Sequence, residues 1–171
     1  DVETTTFNAN GIHGIYGGNN SSATLTDCTI TNHPDDGAYF STSSGDFLRC
    51  SITDNAPHGV GTDIAAVVME QTDVSRNELH GIHLVNSTAD LTTCTFSDNG
   101  DDGIGSSDST AALFDCTFTN QGGDGIALAN SAAGIEGTTI SGSTGIGLLA
   151  TSSVVAMEGG AIRDNGSHGI S

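Results

Sequence analysis

Seven side chains able to take part in acid–base or metal chemistry stand in one column of this sequence. Immediately ahead of a recurring glycine come His13, Asp36, His58, His80, Asp102, Asp124 and His168, at a near-constant spacing with one gap before the last. If successive blocks stack, His58 and His80 flanked by Asp36 and Asp102 have the donors to chelate a divalent metal or to act as acid and base. A turn ahead of a glycine also favours Asp and His through local hydrogen bonds, and turn chemistry alone accounts for the column. Asp35, Asp36, Asp101, Asp102 and Asp124 make the better case for calcium, a hard cation that takes several oxygens. Stacking sets Asp102 near Asp124 with Asp101 alongside, and like charges so placed repel unless a cation intervenes. Calcium is the one cofactor these residues suggest, and the sequence requires none.

What must position these groups is a repeat of period 22. Ile30, Ile52, Val74, Phe96, Phe118, Ile140 and Ile162 form one column without a slip, and Leu25, Phe47, Met69, Leu91, Leu113, Ile135 and Met157 form a second. Cys28, Cys50, Thr72, Cys94, Cys116, Thr138 and Gly160 form a third, so all four cysteines are equivalent. Gly147-Leu148 keeps strict register in the seventh block, whereas Gly145-Ile146 matches the motif better two residues early. Apolar residues two apart within each block give the period of a strand with one face buried, and no helical period is sustained. The turns between them are rich in Gly, Asn, Asp and Ser. A block this short cannot bury its apolar face alone, so the blocks must stack, each strand pairing in parallel with its equivalent one turn on.

The expectation is an all-β fold: a right-handed parallel β-helix, or solenoid, of about seven 22-residue coils with three short strands each, ~34 Å long at the strand spacing. Phrases such as Cys28-Thr-Ile-Thr-Asn32, Cys94-Thr-Phe-Ser-Asp-Asn99 and Asn77-Glu-Leu-His-Gly81-Ile82 resemble the right-handed β-helix repeats of pectate lyases, polygalacturonases, alginate epimerases, phage tailspikes and secreted surface proteins. The resemblance implies the fold and leaves activity open, because activities in such proteins lie in grafted side chains. The cysteines share parity with the core. Parallel in-register side chains do not readily reach a disulfide torsion, which favours buried thiols over Cys28–Cys50 and Cys94–Cys116 bridges.

The outward face of the Cys-x-[Ile/Phe] strand carries Thr29, Thr31, Ser51, Thr53, Thr95, Ser97, Thr117, Thr119, Thr139 and Ser141, interrupted by Asp73. This flat array resembles the ice-binding surface of β-solenoid antifreeze proteins, although Thr and Ser also suit any exposed strand. Carbohydrate chemistry has less to draw on. The chain has no Trp and no Lys, Tyr16 and Tyr39 alone could make a sugar-stacking ledge, and Arg49, Arg76 and Arg163 are too dispersed to clamp a uronate carboxylate. An Asp-based hydrolase through Asp101, Asp102 and Asp124 is the enzymatic alternative.

Composition narrows the partners. Twenty-one Asp and Glu against three Arg give a formal charge of -18 in 171 residues, which excludes nucleic acid and anionic membranes as partners. The longest apolar stretch, Ile64 to Met69, is far short of the ~20 residues that span a bilayer, so no membrane insertion is expected. No basic start followed by an apolar run marks a signal peptide, and a soluble chain is expected. Residues 1–171 are expected to form a single domain, either a segment of a longer protein or a unit associating end to end, because both ends fall within coils. The leading expectation is a non-catalytic extracellular or cell-surface scaffold, adhesin-like in binding a surface, with ice binding and polysaccharide chemistry as alternatives.

Overall fold

A computed structural model describes residues 1–171 as 23 strands and no helix. They form three parallel sheets that run the length of a solenoid. Each complete coil contributes a five-residue strand to the first sheet, a three-residue strand to the second and a four-residue strand to the third. Ala66–Glu70, Asp73–Ser75 and Ile82–Val85 are one such set. Strands pair with their equivalents one period on, as in Met69 with Leu91 and Phe96 with Phe118. The first coil alone is longer, by a single residue: Ile15 pairs with Ala38, while Ser22 pairs with Ser44, so the addition lies between Gly17 and Ser22. Strict register wins in the seventh block, where Leu148 pairs with Ile126.

The three inward columns close the core. Leu25, Phe47, Met69 and Leu91 meet Ile30, Ile52, Val74 and Phe96 and the third-sheet column Val60, Ile82 and Ile104, all essentially without solvent contact. Phe96 and Phe118 stack with ring centroids 4.6 Å apart and planes within 3°. The four cysteines are free and buried. Their thiols donate to backbone carbonyls at the corner between the first and second sheets; Cys94 Sγ reaches Thr92 O at 3.3 Å and Met69 O at 3.4 Å. Thr72 fills the same place with its hydroxyl, donating to Glu70 O and Phe47 O. The column therefore selects a small donor, which both Cys and Thr supply.

The other corners use the same device with different groups. Asn55, Asn77, Asn99 and Gln121 form a buried amide ladder between the second and third sheets. Asn77 Oδ1 accepts from the backbone N–H and the Nδ2 of Asn55, and Asn77 Nδ2 donates to Ile52 O and Asn99 Oδ1. His33 ends that ladder, its Nδ1 accepting from Asn10 N–H. Between the third sheet and the first, Ser87, Ser109, Ser131 and Ser153 repeat one pattern, each of the last three hydroxyls accepting from the serine N–H one coil before. These side chains satisfy buried amides where the ribbon turns.

Every strand but Ile15–Gly17 hands over directly to a residue in the left-handed region, which suits the Asp, Asn and Gly found at most of these positions. Ile64 is the one aliphatic β-branched residue among them, at φ 53° with 59% of its surface exposed. Ile64→Asn should stabilise the fold by about 1 kcal/mol, read as a higher melting temperature. Asn77→Ala should cost about 3 kcal/mol in urea denaturation, because it strips the acceptor from buried Asn55 donors and the donor from Ile52 O.

Candidate functional site

The column ahead of the glycine lies where the long corner meets the third sheet. Its side chains form a fourth ladder, one between coils and not the local turn bonding expected of the sequence. Asp36 Oδ1 accepts from His58 N–H at 3.1 Å, His58 Nδ1 from His80 N–H at 3.3 Å, and His80 Nδ1 from Asp102 N–H at 3.3 Å. Asp102 Oδ1 then accepts from Asp124 N–H at 2.7 Å and Asp124 Oδ1 from Ile146 N–H at 2.6 Å. Asp and His are interchangeable in this column because each presents an acceptor at the δ position. A ring nitrogen that accepts an N–H carries no proton, so His58 and His80 in their neutral form hold theirs on Nε2.

His83, on the third-sheet strand Ile82–Val85, points outward between them. Its ring centroid is 4.7 Å from that of His58 and 5.3 Å from that of His80, while His58 and His80 stack at 5.0 Å. The neighbouring outward positions are Gly61 and Gly105, paired with His83 on either side. A Cβ at Gly61 would run into the Asp36 carboxylate, and one at Gly105 would sit 3.0 Å from the His80 ring. The two glycines are what admit these side chains to the sheet surface. A hollow of about 230 Å³ opens beside the imidazoles, with His80, His83 and Asp102 on one side, Gly105 and Ala127 in the floor and Leu149 and Thr151 beyond.

His80, His83 and Asp102 at this hollow, and His58 and Asp36 along the ladder beside it, titrate away from their ordinary ranges. Burial, reinforced by the other two imidazoles, pulls His58 down to about 3. Burial also lowers His80, opposed by Asp101, and lowers His83. Asp102 is pushed up to about 6 by burial, with Asp101 and Asp124 adding to the shift and the Asp124 N–H opposing it. Asp36 rises to about 7, again chiefly by burial. Imidazoles that favour the neutral form thus stand beside a carboxyl that keeps its proton up to about pH 6.

Among the residues singled out for calcium, Asp101 and Asp102 come together with His80, their ligand atoms within 4.8 Å of one another. Asp124 does not join them; it stands one coil beyond Asp102, with its Oδ1 accepting from Ile146 N–H. A parallel group, His13, Asp35 and Asp36, lies two to three coils away. Tyr16 and Tyr39 stack at 6.0 Å, and His13 packs on both, at 5.9 and 5.3 Å. The hydroxyl rows lie in register on the second sheet: Thr29, Ser51, Thr95, Thr117 and Thr139 in one, Thr31, Thr53, Ser97, Thr119 and Ser141 in the other. The second row is sunk in places, with Thr53 at 6%, Ser75 at 1% and Ser141 at 8% exposure. Arg76 reaches Ser75 Oγ, whose hydroxyl donates to Asp73.

Each arginine is paired, Arg49 with Asp27, Arg76 with Asp54 and Arg163 with Asp164. No guanidinium is left over for a uronate clamp. The largest hollow, about 650 Å³, lies on the first sheet, between Asp90 and Phe114 and over Gly134. It gathers no imidazole, so the smaller third-sheet hollow is the better candidate for chemistry. Sequence reading missed His83, because the ladder period marks columns whereas His83 meets His58 and His80 across two columns. The histidine at i and i+3 in His80-Gly-Ile-His83, followed one coil later by an outward glycine, is the signal that could have found it.

The chain matches the model for the right-handed β-helix region over residues 1–111 and 80–171. No curated protein matches it. Among solved structures, the periplasmic alginate epimerase AlgG superposes with a TM-score of 0.82 at 16% identity, covering 93% of this chain and 45% of that one. The A-module of the mannuronan C-5 epimerase AlgE4 of Azotobacter vinelandii gives 0.78 at 13% identity, covering 99% of this chain and 54% of that one. The chain spans about half the length of these structures, and at such identities the likeness is one of fold. With the family model matched from the first residue to the last, the chain belongs to the right-handed β-helix family.

Proposed function

We propose that this chain is a polysaccharide-active protein, exported from the cell, that cleaves an uncharged glycan along the outward face of the third sheet. The observation that carries the reading is the convergence of His80, His83 and Asp102 on one hollow floored by Gly105 and Ala127. Inverting glycoside hydrolysis needs one group that gives a proton to the leaving oxygen and a second that takes one from the attacking water; here an imidazole would stand where such enzymes generally carry a second carboxylate. Asp102 gives its proton to the leaving oxygen, and His83 takes one from the attacking water. His83 is the better base of the two facing imidazoles because its ring nitrogens hold no backbone N–H.

Tyr16 and Tyr39, two coils or more along the same sheet, supply a stacking platform for a chain laid parallel to the solenoid axis. The charge of -18 and the pairing of every arginine favour an uncharged substrate over a polyuronate. The fold shared with epimerases of alginate supports a carbohydrate ligand in general terms only. A purely structural scaffold rests on the lack of any face that gathers reactive groups, and the third sheet gathers them. Ice binding draws on the in-register hydroxyl rows; the sunken second row and the Asp73–Arg76 patch weigh against it.

Incubation with neutral polysaccharides should release reducing ends. His83→Gln and Asp102→Asn should each lower the rate by about 10²–10⁴-fold. Asp102→Asn keeps the oxygen that accepts from Asp124 N–H, so its loss of activity would not reflect unfolding. Absence of turnover on every neutral glycan would return the protein to the scaffold reading. Because the acid must be protonated, activity should fall as pH rises through about 6, where Asp102 loses its proton. A rate that climbs from pH 6 to 8 would remove Asp102 from the acid role.

A further inference from the structure

We propose that His13, Asp35 and Asp36 form a binding site for a divalent metal of the zinc class, separate from the third-sheet hollow and independent of the reading given above. Two His-Asp-Asp groups recur in this fold, His13–Asp35–Asp36 and His80–Asp101–Asp102, each with its three ligand atoms within 4.8 Å of one another. They differ in the state of the imidazole. His80 Nδ1 is engaged, accepting from Asp102 N–H as the ladder dictates. By the same rule His13 Nδ1 should accept from Asp36 N–H. It does not, because that N–H donates to Asp35 Oδ1 at 3.0 Å. His13 Nδ1 is left shut from solvent with no hydrogen-bond partner, 3.9 Å from Asp35 Oδ1.

A buried acceptor without a partner is costly, and two adjacent carboxylates repel each other. One cation answers both. The lone pair on Nδ1 is free to ligate, and each carboxylate has committed one oxygen to a backbone N–H, Asp35 to that of Asp36 and Asp36 to that of His58. One imidazole with two carboxylates suits zinc, whose bonds of about 2.0–2.2 Å bridge donors at this separation with small adjustments. Three protein ligands leave a position for water. Calcium is disfavoured, since it takes six to eight oxygens and the site supplies a nitrogen and two carboxylates. His13 is also held in place, its ring packed on Tyr39 and Tyr16.

That packing supplies a reporter. The chain has two tyrosines and no tryptophan, and both tyrosines touch His13. Metal-free protein titrated with Zn²⁺ at neutral pH should bind one ion per chain by calorimetry, with a parallel change in tyrosine emission. Both signals should be lost in His13→Gln and in Asp35→Asn and kept in His80→Gln. Asp35→Asn retains the oxygen that accepts from Asp36 N–H, and unchanged circular dichroism would tie its loss to the ligand. Four results would overturn the proposal: no Zn²⁺ binding by the unmodified chain, binding that survives both site substitutions, binding that vanishes only in His80→Gln, or Ca²⁺ bound in preference to Zn²⁺.

Discussion

Everything in this molecule depends on one hydrogen-bonding problem, that of the amides at the corners of a parallel coil. Along the strands the backbone satisfies itself, each N–H and C=O pairing with the coil on either side. Where the ribbon bends, some amides face inward with no strand opposite, and a buried donor left alone is strongly destabilising. The chain answers with side chains one coil away: amides at one corner, serines at another, and at the third the Thr72 and Thr138 hydroxyls, which accept from Cys50 and Cys116 N–H, while the thiols there donate to carbonyls. Each bond works only if its partner stands at the same place in the next coil. The coil length is therefore enforced at every corner, and the core columns inherit their alignment from it.

The candidate chemistry grows out of the same constraint. His58, His80 and Asp102 are acceptors in a corner ladder before they are anything else. Holding an N–H on Nδ1 fixes the imidazole plane and its tautomer, which is what a positioned donor at a binding face requires. Function then needs only small departures from the repeat. An outward histidine at position 83, glycines at 61 and 105, and an aspartate at 35 that takes over a neighbour's amide turn structural columns into sites.

The pattern of the sequence carried the inward side of the molecule almost completely. Parity and period placed Phe96 over Phe118 and kept the cysteines buried, but left the seventh block open between Gly145-Ile146 and Gly147-Leu148, of which the structure takes the second. Inward positions are legible because burial allows few residue types. The outward side was only half legible. Asp102 and Asp124 are equivalent in the alignment of blocks and both accept from the N–H one coil on, yet only Asp102, with Asp101 beside it, gathers with His80. His83 belongs to no polar column, and its importance comes from diagonal packing that a one-dimensional period does not encode. The pairing of Arg49 and Arg76 with acids one coil earlier was readable, since Asp27 and Asp54 stand one full period ahead of them.

The extra residue of the first coil shows where this architecture tolerates change. It sits between Gly17 and Ser22, in a corner that has not yet joined the serine ladder, and the following strand resumes the common register at once. An insertion there bulges outward and breaks no bond between coils. Anywhere else the least disruptive change of length is a whole coil, because removing or duplicating one full period rejoins every ladder to an equivalent partner. Such a protein evolves by copy number: its stability rises with each added interface, and sites written on one coil can be displaced along the axis, or repeated, without redesigning the core beneath them.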